Sequence, residues 1–159
     1  MQYSQKYCLV SFINPIEIGT EFSMENWPLH VTLADVFAID LLPTEIELKL
    51  NKLLSDKPVV KIFANQEVIL GTTKVVLLDK TSKIIDLHLS LIELIEKNGA
   101  FFNSPEHIKS GFIPHCTIQK SERLNKGDQI SIDRISLVDM YPDQDWQQRR
   151  VLKTFDLCR

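Results

Sequence analysis

Two tripeptides in this chain pair an imidazole with a hydroxyl two residues away: His30-Val31-Thr32 and His115-Cys116-Thr117. Side chains at i and i+2 of a β-strand point to the same side. Each His and its Thr would then share one strand face, with Leu29, Val31 and Leu33 behind the first pair and Cys116 and Ile118 behind the second. Both tripeptides follow a proline by one or two residues. An imidazole gives and takes protons near neutral pH, and a hydroxyl donates a hydrogen bond to developing negative charge. Two such pairs brought together suit acid–base catalysis. His-x-Thr is a short motif, and its bland alternative is a pair of strand histidines buried and satisfied by their neighbours.

The elements that must position these residues are legible as alternating strand and helix patterns. Tyr7-Cys8-Leu9-Val10-Ser11-Phe12-Ile13 reads as a first strand, ended by Asn14-Pro15, and residues 14 to 27 as a loop approaching the first motif. Thr44 and Glu47 form a capping-box pattern that opens a helix, with Ile46, Leu50, Leu53 and Leu54 on one stripe. Residues 59 to 70 and 74 to 78 read as strands joined by a hairpin at Gly71-Thr72-Thr73. Lys61 and Lys74 on them are expected on the solvated face. A second helix runs from Ser82 to Asn98, where Asn98-Gly99 stops it, and carries Ile84, Leu87, Leu91, Leu94 and Ile95 on one stripe. His88 lies beside that stripe and reads as a packing residue, and His107 is also left out of the site. Residues 100 to 113 form a loop into the second motif. After a polar turn at Asn125-Lys126-Gly127-Asp128, residues 130 to 140 and 150 to 157 read as closing strands around a polar connection at 142 to 148. The chain looks like two similar halves, and no linker divides residues 1–159, so one two-lobed domain is expected.

On its two His-x-Thr motifs flanked by apolar residues, their spacing and the order of the elements between them, the sequence resembles the two-histidine phosphoesterase superfamily. That superfamily includes 2'-5' RNA ligase-like proteins and cyclic nucleotide phosphodiesterases. The resemblance implies an α+β fold of two lobes related by a pseudo-twofold, with mainly antiparallel sheets facing across a central groove and helices packed on the outside. It implies a catalytic set of His30, Thr32, His115 and Thr117 acting on a 2',3'-cyclic or 2'-5'-linked nucleotide or RNA-end phosphodiester, with His115 as base and His30 as acid by analogy. Two departures are visible: Cys116 stands at the middle of the second motif in place of an aliphatic residue, and Lys120 stands where many members have arginine. Substrate contacts are expected from Gln119, on the parity of His115, from Lys120 if the strand bends there, and from the aromatic candidates Phe12, Trp27 and Tyr141, each of which could equally be core.

The remaining features bound the partner. A composition of 44% hydrophobic and 25% charged residues is globular, and a net charge of -3 gives no basic face for a long nucleic-acid duplex. A small nucleotide or an RNA end is the expected ligand. Cys8, Cys116 and Cys158 are odd in number and lack metal-ligand spacing, which points to reduced thiols in a cytoplasmic setting. No apolar run approaches a membrane span. A catalytic zinc takes three protein ligands, and neither motif offers a third on the histidine face; no metal and no cofactor is expected. A protein that binds the nucleotide or RNA end in the same groove without turnover is the alternative.

Overall fold

The computed structural model describes residues 5–158. The strands, in chain order, are β1 (Lys6–Phe12), β2 (Glu21–Ser23), β3 (His30–Ala38), β4 (Val60–Leu70), β5 (Thr73–Leu78), β6 (Phe101–Phe102), β7 (His115–Thr117), β8 (Gln129–Ile132), β9 (Arg134–Asp139) and β10 (Gln148–Asp156). The two helices are α1 (Pro43–Leu54) and α2 (Ser82–Lys97). The strands follow one path, β2-β10-β9-β1-β3-β7-β5-β4-β8, with β6 added on β3. The strand pairs in this path are antiparallel.

The expected α+β, mainly antiparallel architecture is present, and the way its halves meet is specific. The half built on β2, β10, β9, β1 and β3 abuts the half built on β7, β5, β4 and β8 through the two motif strands themselves, which pair at one register position, Val31 opposite Cys116. His30 and Thr32 flank Val31, and His115 and Thr117 flank Cys116. All four therefore stand on the same side of the junction by the alternation of side chains along a strand.

The opposite side is the main core. Val31, Leu33 and Cys116 join Ile46, Leu50 and Leu54 of α1 and Ile84, Leu87 and Leu91 of α2 in one cluster of buried side chains. Both helices thus cover the face away from the histidines. At about 25 cal/mol per Å² of apolar surface removed from water, this face holds the halves together. A second, smaller cluster of Cys8, Val10, Phe12, Val138 and Val151 lies on the histidine side of β1, β9 and β10. Val10 pairs with Thr32 and Phe12 with His30 in the ladder.

Several boundaries differ from the sequence reading. Helix α1 starts with Pro43 in its first turn, and its N-cap is Leu42, which makes no side-chain cap bond. Thr44 lies within the first turn, so the capping box does not form; proline, which has no N–H to satisfy, starts the helix instead. Helix α2 does carry a side-chain cap, with the Ile84 N–H donating to Thr81 Oγ1 at 3.4 Å. The run 130 to 140 is two strands, β8 and β9, interrupted at Asp133. The short strands β2 and β6 arise inside the two loops that approach the motifs, where neighbouring strand edges supply partners.

Candidate active site

Each motif histidine is fixed by its own backbone. Pro28 and Pro114 precede the motif strands, and the chain there turns so that the carbonyl two residues upstream of each imidazole meets its ring. His30 Nδ1 is 2.8 Å from the Pro28 carbonyl oxygen, and His115 Nδ1 is 2.6 Å from that of Ile113. A carbonyl oxygen only accepts, so each Nδ1 carries the proton and donates it. The Nε2 atom of each ring is left to exchange a proton with something else. The same local device, used twice, gives two imidazoles in one tautomer.

The surroundings of the two rings differ. The Trp27 ring centroid is 4.5 Å from that of His30, and Phe12 stands edge-on at 6.1 Å. Phe22 extends the wall, 4.8 Å from Trp27. Burial in this aromatic pocket lowers the His30 pKa below its ordinary 6.5; the hydrogen bond to Pro28 opposes that shift, and the nearby charge of His115 adds to it. His115 is half exposed and lines a cleft of about 500 Å³, together with Thr32 and Thr117. The far side of the cleft is formed by Leu70, Gly71 and Thr73 of the β4–β5 hairpin. No Lys or Arg is among the described residues that line it.

The loop entering β7 is held by a residue the sequence reading set aside. His88, on α2, is 1% exposed. Its Nδ1 lies 2.6 Å from the Leu33 carbonyl on β3, and its Nε2 accepts the Lys109 N–H at 3.0 Å. Its ring stacks on Phe112 with centroids 3.9 Å apart and planes 3° from parallel. Lys109 sits at φ 57°, in the left-handed region, and its ammonium pairs with Glu96 of α2 at 2.8 Å. Gly111 is equally constrained, since a Cβ there would fall on the Glu106 carbonyl oxygen. His88 thus ties the first motif strand, α2 and the approach to the second motif into one unit. A pattern of apolar stripes does not show this, because a histidine's partners lie far off in sequence.

Burial also holds the His88 pKa below its ordinary value, although the bond to Leu33 opposes the shift. Below the ordinary value of 6.5, the unfolded chain takes up protons at His30 and His88 that the folded chain resists, so stability is lost as pH falls through that range. Thermal melting is expected to give a flat midpoint above about pH 7.5 and a falling one between about pH 6.5 and 5. A midpoint that holds level to pH 5 contradicts the neutral, doubly bonded His88.

The remaining expected contacts are placed as follows. Phe12 and Trp27 form the wall behind His30 and do not line the cleft. Strand β7 ends at Thr117, so the parity that would aim Gln119 does not extend to it; its N–H donates to the Glu122 carbonyl in a turn. Lys120 is exposed, and Tyr141 lies at the end of β9 with its N–H on Asp139; neither lines the cleft. Asp35, which the sequence reading passed over, does line it. Among the described residues, no group of three or more His, Cys, Asp or Glu side chains is placed to hold a metal ion. No described helix is long and apolar enough to cross a membrane.

A family model described as the 2'-5' RNA ligase superfamily matches residues 14–147. No curated protein sequence matches significantly. Among solved structures, one described as a phosphoesterase superposes with a TM-score of 0.63 at 16% identity, covering 98% of this chain and 99% of that one. E. coli LigT in complex with NADP+ gives the same TM-score of 0.63 and 16% identity over 99% of this chain and 100% of its own. A Thermus thermophilus protein gives 0.59 at 15% identity over 96% and 97%.

Proposed function

The chain belongs to the 2'-5' RNA ligase superfamily, and on that premise we propose that it is a metal-independent phosphodiesterase that opens a 2',3'-cyclic, or 2'-5'-linked, nucleotide or RNA-end phosphodiester by two-histidine acid–base catalysis. The observation that carries this reading is the duplicated tether: two imidazoles with Nδ1 committed to backbone carbonyls, Nε2 atoms with no hydrogen-bond partner among the described residues, and a threonine two residues along the strand from each. Solved complexes of E. coli LigT with 3'-AMP and with ATP support a small nucleotide as the class of ligand.

In the proposed reaction one Nε2 takes a proton from water, and the water oxygen forms a bond to phosphorus. The bond from phosphorus to one ribose oxygen breaks, and the other imidazolium returns a proton to that oxygen. The product is a monoester. The threonine hydroxyls donate to the non-bridging oxygens, whose charge grows as phosphorus becomes five-coordinate. Burial in the aromatic pocket favours the neutral form of His30 and so supports giving it the base's role, with His115 as the acid. This reverses the roles that the resemblance suggested. With no Lys or Arg lining the cleft, a diester with one negative charge suits it better than a monoester with nearly two.

The test is hydrolysis of nucleoside 2',3'-cyclic phosphates in excess EDTA, with the 2'- and 3'-monophosphates resolved. Turnover to a single isomer, undiminished by the chelator, is the expected result. Activity that vanishes with EDTA and returns with one divalent ion contradicts the mechanism.

A further inference from the structure

Strand β3 carries an irregularity that changes which residues face the cleft. Against β1, Val10 pairs with Thr32, Leu9 with Ala34 and Tyr7 with Phe37, so β3 holds one extra residue on each side of Ala34. Two bulges result. Leu33 and Ala34 both turn into the main core, and the next residue, Asp35, returns to the face of Thr32 despite an odd spacing. Its carboxylate lines the cleft that Thr32, His115 and Thr117 also line.

Asp35 is half-buried and only partly engaged. One oxygen accepts the Val36 N–H at 2.8 Å, and the other lies 3.6 Å from Nδ1 of the exposed His107. The intervening strand, shortened by the bulges to about two ladder steps, puts it roughly 7 Å from Thr32, within the reach of a single nucleotide bound by its phosphate. The apolar residues Leu70 and Ile113 also line this cleft. A carboxylate repels the phosphate such a cleft is built to receive, and among the described residues lining the cleft no Lys or Arg offsets it; His107, which also lines it, is exposed. A ligand group that donates hydrogen bonds to it removes that cost.

We infer that Asp35 forms the base-reading end of this cleft and selects nucleotides whose base presents adjacent N–H donors, guanine above all. The inference rests on the phosphodiester reading of the His/Thr end. Guanine N1–H and its exocyclic amine match the two oxygens of one carboxylate. Adenine and cytosine offer a single amine. Uracil flanks its one N–H with two carbonyl oxygens that a carboxylate repels. A bidentate pair distinguishes the right base from the wrong one by about tenfold or more.

The experiment measures kcat/KM for guanosine and uridine 2',3'-cyclic phosphates with the wild type and with Asp35→Asn, and reads the ratio between the two nucleotides, which partial misfolding does not alter. A wild-type ratio of about ten or more, falling to about two or less in the variant, is expected. A wild-type ratio near one, or a ratio the variant leaves intact, overturns the inference. Absence of turnover with either nucleotide counts against the phosphodiesterase reading, and the same comparison is then made by calorimetric binding of 3'-GMP and 3'-UMP. A guanosine preference that collapses in Asp35→Asn keeps the subsite, and equal affinities for the two nucleotides sink it.

Discussion

Replacing His115 by alanine is expected to lower turnover of a 2',3'-cyclic phosphate by about 10²- to 10⁴-fold, and replacing His30 to do the same. Positioned proton transfer contributes on that scale, which corresponds to roughly 3 to 5 kcal/mol of barrier. The double variant is expected to lose little more than either single one, because acid and base serve a single transition state. Affinity for a nucleoside monophosphate should change by only a few-fold, since the threonines and the cleft walls persist. Binding that weakens in both variants, with no turnover even in the wild type, would instead identify a nucleotide-binding protein that does no chemistry. The pH profile separates the two rings further. If His30 is the base, the acid limb of kcat/KM lies below pH 6.5 and disappears in His30→Gln.

The largest effect expected away from the reacting atoms is that of His88→Ala. The change opens a void beside Phe112, leaves the Leu33 carbonyl without its donor and frees the Lys109 N–H. Loss of a buried aromatic ring costs about 3 to 5 kcal/mol by itself, and an unpaired buried polar group adds to it. About 4 kcal/mol, or roughly 10 °C in melting temperature for a chain of this size, is a conservative expectation. His88→Asn keeps an amide donor for the Leu33 carbonyl, but its shorter side chain cannot also place an acceptor where Nε2 meets the Lys109 N–H, so it should recover part of the stability. Lys109 is held at a positive φ by this bond and by Glu96. Its release should disorder the approach to β7 and lower activity even at temperatures where the variant is folded. A melting point within 2 °C of the wild type would show that the bonds to His88 are replaceable by water.

The sequence displayed the shared face of the candidate site where strand alternation holds, and hid a cleft-lining residue where the strand departs from alternation. His30, Thr32, His115 and Thr117 obey the period of two, and so their shared face could be read directly. Asp35 could not be read, because counting from His30 places Asp35 on the core side; the bulge between Thr32 and Ala34, set by pairing with β1, reverses that. The pairing of β3 with β7 joins residues about 85 positions apart, Val31 and Cys116, and nothing local encodes it. His88 shows the same limit from the other direction. Its neighbours on α2 mark it as a flank of an apolar stripe, and only the arrival of Leu33 and Lys109 makes it a clamp. The α1 boundary moved because two start signals competed, and the proline at the first position prevailed over the threonine that follows it.

The meeting of the two halves at Val31 and Cys116 gives this chain an uncommon vulnerability and an uncommon freedom. In the proposed reaction, the span between the two imidazoles is set by the angle between the halves, since each imidazole is tied to a carbonyl within its own half. A substitution that enlarges Cys116, or that shifts α2 against β3, would retune the reaction from beneath without altering any group that touches substrate. Variation in turnover among natural or engineered forms of this protein is then to be sought in the packing behind the strands as much as in the cleft in front of them.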